Sequence, residues 1–396
     1  MSVFPQELYD LVISLITDTD SLASCSLVCR NWIPSTRINL FRRLRPLVIS
    51  PSSLPQVLLL VDNSISTISP YISSLVLKDW SLTCSKSFYP LLPRIAGRMT
   101  AVESLVFYSC DWEEMSNGVF NFLVFYFRNT LKSLELRECP YRTFEGLLGL
   151  VCSFPMLETL SLHRLVVDRT ALSPEPNARK NAPPPHLRSI HALGSVKSEL
   201  MKWTLKSHLD IEEVSLGPIL PGEARLVGKL LRGLKSTLKH LTLCGESVPN
   251  MHREISLKHN WQLTTIHFAN LMLHPRNSDG MSWFIYLLYG IQGSSLRDLT
   301  FSVCPHSPRL ENLGAIDWLA LRTCLDRPQF MCLESVMFLF SMSEAGGVKW
   351  WDGYVENAEV FVRTRLDLPQ FQDSGILGFD FGREVDAETE ESDESD

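Results

Sequence analysis

One hexad, apolar-x-x-apolar-x-apolar, recurs along most of this 396-residue chain and constrains its fold more than any other feature. It occurs at Ile72/Leu75/Leu77, Val102/Leu105/Phe107, Leu131/Leu134/Leu136, Leu157/Leu160/Leu162, Leu187/Ile190/Ala192, Ile211/Val214/Leu216, Leu238/Leu241/Leu243, Leu263/Ile266/Phe268, Leu296/Leu299/Phe301 and Leu333/Val336/Phe338. Measured at the middle residue, the ten copies follow one another at a mean of 29 residues. Leu44/Leu47/Ile49 adds a copy at the front, and Ile376/Phe379/Phe381 extends the series after a longer gap. A single hexad is common by chance, but a long series at near-constant spacing marks a repeat architecture. The last two apolar residues are two apart, so they share one face of a short strand and the residue between them takes the other. Helical spacing fills the intervals, as in Phe144/Leu147/Leu148/Val151, Leu226/Leu230/Leu231/Leu234 and Ile316/Leu319/Ala320/Leu325. Strands joined through helices run parallel, so the spacing predicts an α/β solenoid with parallel strands on a concave face and helices on the convex face.

The hexads resemble those of the leucine-rich-repeat family, in which Asn or Cys follows closely. Cys110, Cys139 and Cys304 stand at that place, Asn270 falls one residue short, and other copies carry Trp80, Leu165 or Ile219. The resemblance implies a repeat array over residues 46–382. Alternation then predicts which side chains leave the core for the concave face, among them Tyr108, Glu135, Arg137, His163, His191, Thr242 and His267. Their mixed polar chemistry suits a protein partner better than a phosphate backbone or an apolar small ligand. The outward histidines make a poor metal site, because His191 and His267 lie three strand spacings apart, about 14 Å.

Two segments interrupt the periodicity. Residues 168–186 are rich in Pro, Asn and charge and read as an exposed loop insertion; residues 383–396 hold eight of the 44 acidic residues and one Arg, and read as a disordered acidic tail. Without that tail the chain has 36 basic and 36 acidic residues, so charge gives no case for nucleic acid or an anionic membrane. No apolar run approaches the roughly 18 residues of a membrane span, and Glu7 and Asp10 stand where a signal peptide would be basic. Residence in the cytosol or nucleus is the expectation. The ten cysteines lack paired C-x-x-C spacing and are expected as reduced, mostly buried thiols.

The first 45 residues depart from the repeat. Pro5 suits a first helical turn, and Leu8, Leu11, Val12, Leu15 and Ile16 follow at helical spacing. Asp20 is a candidate cap for a second helix containing Leu22, Cys25, Leu27 and Val28, and Pro34 restarts a third running to about Arg43. Three short helices hold too little core to stand alone and need the array or another protein to cover their apolar surface. The run from Phe4-Pro5 through Glu7-Leu8 and Leu22 to Leu27-Val28-Cys29-Arg30, Trp32 and Leu40-Phe41 resembles an F-box of the fungal type. That resemblance implies a substrate-recognition adaptor of a Skp1–cullin–F-box ubiquitin ligase. Phe4, Pro5, Leu8, Leu11, Leu15, Leu22, Leu27, Val28, Cys29 and Trp32 would meet the Skp1-type adaptor, and through it a cullin, while the repeats hold an unidentified target protein. A repeat scaffold whose N-terminal helices merely cap the array is the alternative.

Signatures of catalysis are missing. Gly217–Ala224 has the glycine spacing of a phosphate loop, but Glu223 and Ala224 replace its Lys and hydroxyl residue, so it reads as a turn. No H-E-x-x-H, G-x-S-x-G or paired C-x-x-C occurs, and nothing in the sequence calls for a cofactor, a metal or a catalytic residue.

Overall fold

The computed structural model describes residues 5–43, 46–62, 68–80, 91–111, 117–141, 143–167, 182–220, 222–245, 251–273, 283–305, 309–341, 352–368 and 375–381. Phe4, most of the Pro-rich insertion and the whole acidic tail lie outside them. The chain divides into two compact units, Met1–Leu209 and Asp210–Asp396.

The first unit begins with helices α1 (Gln6–Leu15), α2 (Thr19–Cys25) and α3 (Ile33–Arg43). Strand β1 (Leu47–Ile49), helix α4 (Leu54–Asp62), β2 (Ser74–Lys78), α5 (Leu92–Ala96), β3 (Ser104–Tyr108) and α6 (Asn117–Phe127) follow. Then come β4 (Ser133–Arg137), the short β5 (Pro140–Tyr141), α7 (Phe144–Cys152), β6 (Thr159–Val167), β7 (Ser189–Gly194) and α8 (Lys197–Ser207). All strands of this unit are parallel, in the order β1-β2-β3-β4-β6-β7, with β5 beside β6. The hexads set the register: Leu47, Leu75, Leu105, Leu134, Leu160 and Ile190 pair in one row, and Leu77, Phe107, Leu136, Leu162 and Ala192 in the next. Both rows are buried from Leu75 and Leu77 onward.

A left-handed residue also repeats at one place on the strands. Asp79, Ser109, Glu138 and Arg164 take left-handed φ values of 59°, 50°, 54° and 51°, and Gly194 holds the same place on β7 at 104°. The first three of these donate their N–H forward, Asp79 to Tyr108 O, Ser109 to Arg137 O and Glu138 to His163 O, all at 2.9 Å. In the first three, the next residue drops back into the core and its side chain bonds a carbonyl of the preceding strand. Trp80 Nε1 donates to Ile49 O (3.0 Å), Cys110 Sγ to Leu77 O (3.2 Å) and Cys139 Sγ to Phe107 O (3.6 Å). The neighbouring Cys139 and burial push the Cys110 thiol far above its ordinary range, so it stays a protonated donor. Trp and Cys thus do one job at this place because each carries a buried donor.

The second unit contains β8 (Glu213–Leu216), α9 (Ala224–Leu234), β9 (His240–Cys244), α10 (Met251–Glu254), β10 (Thr265–Leu273) and α11 (Trp283–Tyr289). It continues with β11 (Asp298–Pro305), α12 (Trp318–Leu325), β12 (Ser335–Phe340), α13 (Asp352–Leu366) and β13 (Leu377–Phe381). Strands β8 to β13 pair in sequence order and in parallel. Its core is aromatic: Phe268, Phe301, Phe338 and Phe379 stack across four strands at centroid distances of 5.8, 4.9 and 5.9 Å. Trp283 and Trp318 pack onto Phe268 and Phe338 from the helix side.

Several local expectations are corrected. Phe379 pairs with Phe338 and Leu377 with Val336, so the last strand sits two residues off the register its hexad implied. Stacking of the Phe rungs decides this, since the shift of two keeps the same face inward. Asp18, not Asp20, caps α2 by accepting from Ser21 N at 2.7 Å. In α12 the buried face is Trp318, Leu321, Cys324 and Leu325, while Leu319 is exposed. Asn270 is itself a left-handed residue (φ 53°), and the buried place falls to Leu271, which explains why it stood one position short. Of the nine described cysteines, Cys29 and Cys332 are exposed.

Candidate functional site

Two surfaces gather the residues singled out from the sequence. The first is on the N-terminal helices. α3 is their hub, contacting α1, α2 and the single helical turn at Ser69–Tyr71. Ile13, Leu22 and Thr36 form the buried centre, with Thr36 Oγ1 donating to Trp32 O at 2.8 Å. α1 is fixed by polar contacts: Asp10 accepts from Ser35 Oγ and from Gln6 Nε2 (2.9 Å), and Gln6 Nε2 also reaches Asn31 O at 3.1 Å. Asp18 is held below its ordinary carboxylate range by its bonds to Ser21.

This scaffold turns a large apolar surface outward. Leu8, Leu11, Val12 and Leu15 on α1 are exposed, as are Leu27 and Val28 beyond α2, with Leu15 at 72% and Leu27 at 87%. Pro5 and Cys29 are also exposed. Two expected members differ. Leu22 is fully buried and serves the centre of the helices, and Trp32 is half-buried with its ring 5.4 Å from Tyr9. Val12, absent from the expected set, is exposed beside Leu8 and Leu11; its i+4 spacing from Leu8 is the signal that places it there.

The second surface is the open face of the strands. In the first unit Lys78, Tyr108, Arg137 and His163 pair in one row, and Val76, Val106, Glu135, Ser161 and His191 in the row beside it. Glu135 Oε1 accepts from Arg137 Nε at 2.5 Å and lies 3.2 Å from His163 Nε2. Glu135 is the less exposed of these partners, so it anchors the other two. Burial lowers the His163 pKa more than Glu135 raises it, with Arg137 and His191 lowering it further. Lys78 Nζ lies 5.7 Å from the Tyr108 ring centre. The second unit presents Thr242, His267 and Thr300 in one row, with His267 Nε2 2.7 Å from Ser302 Oγ. All seven expected strand-face residues are therefore outside the core, on two separately described units.

No protein-family model matches the chain, and no curated protein matches it. Among solved structures it is similar to that of the Rad7 and Elc1 complex in yeast, at 14% identity and a TM-score of 0.38, over 87% of this chain and 91% of that one.

Proposed function

We propose that the chain is a substrate-recognition adaptor of a Skp1–cullin–F-box ubiquitin ligase. Its N-terminal helices dock a Skp1-type adaptor, its strand face holds a target protein, and ubiquitin transfer is left to other subunits. The observation that carries this reading is the outward apolar set Leu8, Leu11, Val12, Leu15, Leu27 and Val28, on helices whose few inward residues already make their own centre. Contiguous exposed apolar surface on small helices is a docking signal. Rigid repeats beside it suit positioning, where the gain is proximity of target and enzyme.

The test is co-purification with a recombinant Skp1-type adaptor. Leu15→Asp and Leu27→Asp should each abolish capture, because covering an unpaired carboxylate costs several kcal/mol. Their melting temperatures should barely move, since exposed substitutions change stability by about 0.5 kcal/mol or less. Leu22→Ala should instead lose about 2–5 kcal/mol of stability as a core truncation. Capture unchanged in both Asp variants would sink the reading. The packing of α3 on the Ser69–Tyr71 turn favours a second reading, a repeat scaffold capped by these helices. Under it, removal of residues 1–45 lowers the melting temperature and no adaptor is captured by either form.

A further inference from the structure

We propose that the row Lys78, Tyr108, Arg137 and His163 seats an extended acidic segment of the target, with its carboxylate or phosphate groups on the Arg137 guanidinium and the Lys78 ammonium. This rests on the reading of the strand face as the target surface and gives that surface a chemistry. The four residues lie in register on β2, β3, β4 and β6, so Lys78 and Arg137 stand two strand spacings apart, about 10 Å. An extended peptide crossing the strands spaces alternate side chains about 7 Å apart, and the long, exposed Lys78 and Arg137 side chains can lean inward to meet two of them.

Arg137 is prepared for such a ligand. Its Nε is tied to Glu135, which fixes the plane of the guanidinium, while its side chain remains 51% exposed and its two Nη groups have no acceptor among the described residues. A guanidinium held by Nε presents its Nη edge for paired bonds to a carboxylate or phosphate. Lys78 is 49% exposed, and its Nζ lies 4.0 Å from the Asp79 carboxylate, at the edge of ion pairing. Val76 and Val106, half-exposed in the neighbouring row, offer apolar contact beside the charges. Charge also discriminates between the units. The described open-face positions of the second unit carry Glu213, Asp298 and Asp380 and neither Lys nor Arg, so an acidic segment is repelled there.

Glu135 makes the proposal sharp, because it both orients Arg137 and competes with the ligand's charge. Glu135→Gln keeps an acceptor for Nε and removes the competing charge. The experiment is fluorescence anisotropy of the full chain with labelled peptides of alternating glutamate and serine, the same with phosphoserine for serine, and alternating lysine and serine. Both acidic peptides should bind and the lysine peptide should not, with a tighter phosphopeptide identifying phosphate as the preferred source. Arg137→Gln should weaken acidic binding about tenfold or more, the worth of a charge-assisted bond. Glu135→Gln should strengthen it about two- to fivefold. Asp298→Asn should leave it unchanged. Equal binding by parent and Arg137→Gln, or weaker binding by Glu135→Gln with an unchanged melt, overturns the proposal. Binding seen only after residues 383–396 are removed would assign the row to the chain's own acidic segment and likewise overturn it. If the triple substitution of Glu135, Arg137 and His163 reduces capture of a target while no acidic peptide binds, the strand-face reading stands and this chemistry falls.

Discussion

His267 sits on β10 between Thr242 and Thr300, its ring against Ser302 Oγ, with no charged partner in its register row. Burial lowers its pKa from 6.5, so the fold disfavours the protonated ring. The unfolded chain therefore takes up the proton first as pH falls through about 6.5, and stability drops from there until the folded ring itself titrates. Chemical denaturation at a neutral and a mildly acidic pH should show that loss, and His267→Gln should reduce it; an unchanged pH dependence in the variant would remove His267 as a source. Ser109 makes a second prediction at this scale. It pays the left-handed penalty without glycine's help, while its N–H bonds Arg137 O, a contact glycine keeps. Ser109→Gly should be neutral or stabilising by up to about 1 kcal/mol, where glycine elsewhere usually costs that much. Neither feature was legible beforehand. A sequence shows that a histidine alternates outward, but not how deeply its neighbours cover it.

Between elements, register is guarded by a line of charges that the hexads conceal. The residue just before the strand reads Glu103, Lys132, Glu158 and Arg188 for β3, β4, β6 and β7, and Glu212, Lys239, Thr264, Arg297 and Glu334 for β8 to β12. The backbone carbonyls of Glu103, Lys132, Glu158, Glu212, Lys239, Thr264 and Arg297 each accept two N–H groups from the next repeat, as Glu212 O does from Lys239 and His240. The side chains pair along the same line, Lys132 with Glu103 at 3.1 Å, Lys239 with Glu212 at 2.7 Å, and Arg297 with Glu334. Such partly exposed pairs contribute little each, but a strand slipped along its neighbour would break them and a skipped repeat would set Glu103 beside Glu158. Lys239→Glu should cost about 1 kcal/mol in a thermal melt, and the Glu212→Lys/Lys239→Glu exchange should recover part of it, because Thr264 sets no charge against position 239. No recovery would reduce the alternation to coincidence. The pattern was present in the sequence at the hexad's second position, but attention to apolar periodicity passes over it.

At the scale of the whole molecule, the parallel strand order within each unit and the outward alternation were readable, because a period-two face repeated at near-constant spacing leaves few other folds. What could not be read is where a surface stops being a core. Leu15 and Leu22 are equally apolar and lie on neighbouring helices, yet one faces solvent and the other is enclosed, a difference decided by the crossing of α1, α2 and α3 rather than by either residue. The last strand's register was missed for a related reason, since Leu377, Phe379 and Phe381 fit the apolar alternation in either frame and only the stack of rings selects one. The same strand order has a consequence for inheritance. In each unit's strand ladder every interior strand pairs with its predecessor and successor, and each contributes its own side chains to the open face. A change on that face is felt by at most two adjacent repeats, so the surface can be rewritten one residue at a time while the cores beneath it are left alone. A recognition surface of this construction can follow a drifting partner through small steps, each of which still folds.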